Sequence, residues 1–370
     1  MLDSVASPVR RRRGAAMLRW GGGLVAALVA VAAAAPLLTP YDPAEQLDPA
    51  MSQFEPPGTV LAAVHLADGS WRLAERARRV PEGLRLESGS RSELLQAGAV
   101  ANLSRDGVAD SRLFLLGSDQ FGRDLAARML YGARVSLGVA AVAVLLALTL
   151  GLALGALAAL GGRLLDTAIM RGLDAMLAFP PIFLMIALAA LLHPGTWLTV
   201  VILGATGWMG IGRLTRAELL GLQRRDFVLA ARGLGLHPVA IVFRHLLPNA
   251  LAPVLIQATL MIGQVIAAES TLSFLGLGVQ PPTASWGNMI AEGQGWLFNA
   301  WWIATFPGAA LALTVVAFNL LGDGLRDALD PRGGRLALPA PPLAAGAAAP
   351  AEPLSQPTGG CSRSVVGERG

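Results

Sequence analysis

Six apolar runs, each close to the length that crosses a bilayer, constrain this chain more than anything else in it. A ~30 Å hydrocarbon core takes roughly 20 helical residues at 1.5 Å each. The runs are Trp20 to Leu38 and then about 135–160, 174–192, 196–212, 250–269 and 302–322. Of the 370 residues, 54% are hydrophobic and 15% charged, where a soluble domain carries about a quarter charged. The pattern predicts an all-α polytopic membrane protein. Gly, Ala and Ser within the runs suit close helix–helix approach in lipid. Pro180-Pro181 interrupts the third run, and neighbouring helices must then satisfy the freed carbonyls.

Every basic side chain but the histidines is arginine, and there is no lysine. A P-loop needs Gly-Lys-Ser/Thr to bring an ammonium to the phosphates, so a standard Walker A site is excluded. The formal charge is +4, and membrane topology explains the arginines better than a nucleic-acid partner does. The single cysteine, Cys361, supports neither a disulfide framework nor a thiolate metal site.

Residues 1–19 form a basic N-terminus with Arg10 to Arg13 in a row. The run 20–38 reads as an uncleaved first transmembrane helix rather than a signal peptide. Residues 39–132 are polar. Alternating stretches at Thr59 to His65 and Gly83 to Glu87, with a turn at Asp68-Gly69, predict a small, partly β extramembrane insert. Residues 133–331 hold five further spans, and 332–370 read as a disordered cytoplasmic tail rich in Pro, Ala and Gly.

Six spans put both termini on one side. Arg163 and Arg171, then Arg213, Arg216, Arg224, Arg225, Arg232 and Arg244, then Arg326 and Arg332 mark one set of loops. Residues 270–301 contain no arginine. The positive-inside rule places the termini and the 213–249 loop in the cytoplasm. The insert falls outside, being longer than the ~60 residues over which the rule acts.

The 213–249 loop is patterned. Phe227, Ala230, Ala231 and Leu234 fall at i, i+3, i+4 and i+7, one helical face. Asp226 is placed to cap that helix. Gly233 and Gly235 can end it by taking positive φ. Pro238 suits the start of a second short helix, Val239 to Leu246. Two short helices at an angle, with one large and several small side chains on a face, could press into a groove on another protein. Resting on headgroups is the alternative for such a helix.

The spacing Ala230-Ala231, Gly235, Leu247-Pro248 resembles the EAA loop of ABC-importer permeases, by which the membrane subunit grips its ATPase. Leu229 stands where the general pattern has Glu, and His245 where it has Ile. Three more stretches resemble the C-type permease subunits of the dipeptide/oligopeptide/nickel family: Leu115 to Leu137, Leu272 to Ile290 and Phe318 to Pro331. The likeness covers about 115–331.

It implies a type I ABC importer permease fold of six transmembrane helices, in a multi-pass protein of the bacterial inner membrane. The implied partners are a homologous second permease, two ABC ATPase subunits that bind ATP and Mg, and an external solute-binding protein. No cofactor is expected in this chain, which is itself no enzyme. The ATPase-coupling candidates are Asp226, Phe227, Ala230, Ala231, Arg232, Leu234, Gly235, Leu247 and Pro248. Di- or oligopeptides lead as solute, with nickel or another small solute as the alternative.

On the fourth of these five spans, Gln257, Gln264 and Glu269 are candidates for lining a path, Glu269 because ionisable groups near a bilayer are costly without a use. A secondary transporter would show intramembrane carboxylates and repeat halves, which these nearly charge-free spans lack. An intramembrane enzyme would need a catalytic constellation, yet His65, His193, His237 and His245 are scattered.

Overall fold

The computed structural model describes residues 8–88, 91–100, 110–192 and 195–329. The expected tail, Cys361 and His193 lie outside the described residues.

Helix α1 (Pro8–Ala33) breaks at Ala34 and continues as the one-turn α2 (Ala35–Leu38). Pro36 causes the break: it brings no N–H and its ring crowds the carbonyl four residues back. The apolar spanning part is therefore Gly14–Ala33, earlier than the expected 20–38. A further turn, α3 (Pro49–Ser52), leads into six strands: β1 (Thr59–His65), β2 (Trp71–Ala74), β3 (Arg76–Val80), β4 (Gly83–Ser88), β5 (Arg91–Gln96) and β6 (Asp110–Phe114). They make two antiparallel three-stranded sheets, ordered β2-β1-β6 and β3-β4-β5. Period-2 alternation sends Leu84, Leu86 and Leu95 of the second sheet inward against Val64, Leu66 and Ala74 of the first. Leu61, Ala63, Leu73 and Phe114 close on Leu47 below.

The membrane helices follow. They are α4 (Leu125–Leu160), α5 (Gly162–Leu177), α6 (Pro181–Leu191), α7 (Thr196–Leu222), α8 (Asp226–Gly233), α9 (Pro238–Ile241), α10 (Leu247–Phe274), α11 (Trp286–Gln294) and α12 (Trp302–Leu329). Among the described residues, five helices are long and apolar enough to cross a bilayer, or six spans if the bent pair α5–α6 counts as one. That pair bends by 86°. Pro180 biases Phe179 away from helical backbone, and Pro181 opens α6 at a position where the missing N–H costs nothing. The run 174–192, expected to be interrupted at Pro180-Pro181, is so broken, and at 11 residues α6 reaches only about 16 Å.

Small residues set the packing. A Cβ on Gly21 would lie 2.5 Å from the backbone of Leu321, and one on Gly14 would lie 2.7 Å from Asp327 Cβ. Helices α1 and α12 therefore run antiparallel in close contact. The start of α1 and the end of α12 lie at the same end of the bundle. At that end α5 is tied to α7 by Arg216 to Asp166, at 2.5 and 2.6 Å, and Arg213 to Asp174 at 2.6 Å.

Candidate functional site

The segment between α7 and α10 lies at that same end. Arg225 takes the N-cap position of α8, and its side chain makes no capping hydrogen bond. Asp226 is the first helical residue rather than the cap expected of it. Its charge still favours the positive end of the helix dipole.

The C-terminus of α8 is a Schellman turn. Gly235 has φ +75°. Its N–H donates to Arg232 O at 3.0 Å, and Leu236 N–H donates to Ala231 O at 3.2 Å. These are the two bonds of that motif, and Leu236 adds the usual apolar contact. A non-glycine residue would hold this φ only under strain. Gly233 stays helical and does not share the role.

The second short helix is not separate. After α9 the chain widens into a π turn at Val242–Leu246, where Leu247 N–H donates to Val242 O. Pro248 has no N–H, and its ring would crowd the carbonyl four residues back. The wider turn removes that conflict. As a result, Pro238 to Phe274 forms one 37-residue helical segment.

The expected four-residue face divides in two. Ala231 is 6% exposed and packs with Val228, Leu219, Ile241, Leu246 and Ala250. Phe227, Ala230 and Leu234 point outward. With Leu229, Val239 and Phe243 they make an exposed apolar surface on which Leu234 is 82% and Phe243 67% exposed. Arg224, Arg225, Arg232 and Arg244 are exposed around it, Leu247 is half-buried and Pro248 exposed. An apolar patch of this kind, rimmed by charge, marks a surface that a protein or a membrane covers.

The candidate path residues also separate. Gln257 is half-buried and Gln264 exposed, two turns apart on one side of α10. Glu269 is 0% exposed and lies on a different face of α10 from them. Its carboxylate accepts from Ser136 Oγ at 3.2 Å and Ser273 Oγ at 2.8 Å. Those two hydroxyls in turn accept from Trp286 N at 3.3 Å and Val279 N at 3.0 Å.

A family model described as "Binding-protein-dependent transport system inner membrane component" matches residues 151–334. A Brucella ovis protein named as a peptide permease is 45% identical over 218 residues, covering 58% of this chain and 72% of the relative. A Brucella suis protein named as a peptide transport system permease is 46% identical over 218 residues, covering 59% and 73%. The di/tripeptide transport system permease protein DppC of Pseudomonas aeruginosa is 43% identical over 219 residues, covering 59% and 72%. The chain belongs to this family of ABC-importer permeases.

In this permease the segments Leu115 to Leu137 and Leu272 to Ile290 fold against each other at the end away from α8 and α9. Ser136 comes from the first and Ser273 from the second, with Glu269 between them. Ser285 caps α11 in a reciprocal box with Asn288. Beside them lies a ring of four charges that sequence reasoning missed. Arg123 meets Asp119 at 2.6 Å and Glu292 at 2.8 Å, and Arg128 meets Asp119 at 2.7 Å and Glu292 at 2.9 Å. Both arginines and Asp119 are almost wholly buried. Isolated charges cannot sit there, and the alternation of sign is what makes the site tolerable. One signal was available in the sequence: Glu292 is the only charged residue in 270–301. Burial pushes Glu292 up to about 7, against the pull of Arg123 beside it.

Proposed function

We propose that this permease forms half of the translocation path of an ATP-driven importer of di- or oligopeptides. Its partners are a homologous second permease, two ATPase subunits that bind ATP and Mg, and an external solute-binding protein. The names of the relatives support a peptide cargo. The arginine-rich end of the bundle faces the cytoplasm of a bacterial inner membrane, with both termini on that side. The insert and α11 face outward.

The observation that carries the reading is the exposed apolar surface of Phe227, Ala230, Leu234, Val239 and Phe243, beside the Gly235 turn and continuous with α10. An ATPase groove that closes on ATP binding would move α8 and α9 as a lever. Because α9 runs into α10 without a hinge loop, the motion reaches Gln257 and Gln264. Differential contacts in the two nucleotide states then shift a bistable bundle between inward- and outward-facing forms. Arg232 contributes from the rim of the docking surface. Ala231 and Leu247 act by fixing the position of α8 on α10.

The cargo is tested by reconstituting the whole transporter with its solute-binding protein. Uptake of labelled peptides of two to six residues is compared with uptake of Ni²⁺. Peptide accumulation that needs ATP supports the reading; accumulation of Ni²⁺ alone sinks the peptide assignment.

A further inference from the structure

The insert between the first span and α4 lies outside the segment matched by the family model, which begins at residue 151. One of its surfaces has an unusual charge arrangement. In the β3-β4-β5 sheet, Leu84, Leu86 and Leu95 face the first sheet and are buried, so Arg76, Arg78 and Arg85 occupy the opposite face and are exposed. Arg78 and Arg85 are direct cross-strand partners. Directly opposed residues have Cβ atoms only about 5 Å apart, and like charges there are destabilising. Among the described residues, none of the three arginines forms an ion pair. Glu87 stands opposite Arg76 in the register, which leaves two of the three positive charges unopposed on that face. Leu94, paired with Arg85, is exposed at its centre. Where the face meets the first sheet a cleft of 510 Å³ opens, lined by Val60, Ala62, Glu75, Arg76, Arg78 and Glu87.

A face that keeps two arginines opposed gains from an anionic partner. We propose that this face is a docking surface for an acidic patch on the external solute-binding protein, holding it over the permease. The inference rests on the importer reading above. Connectivity favours a protein over the lipid surface. The chain enters and leaves the insert through β1 and β6, so the β3-β4-β5 sheet is the layer without a direct link to a membrane helix. Arg76, Arg78 and Arg85 set the association rate and its salt dependence, as charges on an exposed interface do.

The test uses the complete transporter in nanodiscs and the solute-binding protein of the same system. The triple variant Arg76→Glu/Arg78→Glu/Arg85→Glu is compared with Arg76→Gln/Arg78→Gln/Arg85→Gln and with the unchanged protein. Expected are a weakening of binding by roughly tenfold or more for the reversal, a smaller loss for the neutral set, and a flatter salt dependence in both. Basal ATPase activity stays unchanged. Equal affinities for all three overturn the proposal. So does a loss confined to nanodiscs made with anionic lipid, which would assign the face to the membrane. If the unchanged transporter takes up solute yet binds no such protein, the importer reading itself fails, and this inference with it.

Discussion

Arg128, in the first turn of the long helix α4, and Glu292, in the short helix α11, meet at 2.9 Å with the arginine side chain 1% exposed. Asp119 and Arg123 close the ring around them. The ring pins the loop before α4 to the helix between α10 and α12. Removing one member leaves a buried charge without its partner, which typically costs about 3–5 kcal/mol. Arg128→Ala should therefore lower the melting temperature of the detergent-solubilised transporter sharply. Arg213→Ala breaks a half-exposed pair with Asp174 and should cost less than about 1 kcal/mol. Similar losses for the two would show that the ring is not a structural clamp.

The raised Glu292 carries a pH signature with a definite sign. Its carboxyl titrates near 7 in the fold instead of near 4.5, so the folded state favours the protonated form more than the unfolded chain does. Stability from this group is full below about 4.5, falls as pH rises and is gone above about 7. Melting temperatures between pH 5 and pH 8.5 should decline more steeply for the unchanged protein than for Glu292→Gln. Parallel curves would remove Glu292 as the source.

Two glycines one residue apart from Leu234 make an internal control. Gly235 sits at φ +75°, with open space where a Cβ would go. Gly235→Ala then costs about 1–2 kcal/mol from backbone conformation alone. Gly233 is helical and equally uncrowded, so Gly233→Ala should be neutral or stabilising by up to about 1 kcal/mol. Thermal unfolding of both variants distinguishes a required turn from general intolerance of the loop.

Ala230 and Ala231 should part company. Ala231→Leu forces extra volume into a packed cluster and should cost about 1–3 kcal/mol. Ala230→Leu changes an exposed position and should leave stability within about 0.5 kcal/mol, while reducing ATPase stimulation by loaded solute-binding protein. Equal stability losses would place both alanines in the core.

Much of this architecture was legible because a bilayer demands apolar stretches of fixed length, and Thr59 to His65 showed the alternation of a strand. Helix ends were less legible. The span expected from about 135 begins at Leu125, because the ring lets Arg123 and Arg128 stand at its start. The helix expected from about 250 extends back to Pro238, because a π turn absorbs Pro248. Periodicity grouped Phe227 with Ala231, but it cannot say which edge of a two-turn helix is covered. Val228 is the large residue that turned inward. The enclosure of Glu269 comes from the three-dimensional meeting of Ser136 and Ser273, which its charge alone could not announce. Pairings such as Arg128 with Glu292 join distant segments and leave no local pattern.

If ATP drives uptake through docking at α8 and α9, charges placed on their exposed surface should abolish it. The complete transporter is reconstituted with Phe227→Asp/Leu234→Asp in this subunit, both on the exposed surface, and peptide uptake is followed alongside co-purification of the ATPase subunits. The predicted result is loss of ATPase subunits and of ATP-driven uptake, with the melting temperature of the isolated permease unchanged. Uptake and co-purification equal to those of the unchanged protein would mean that the ATPase does not dock on α8 and α9.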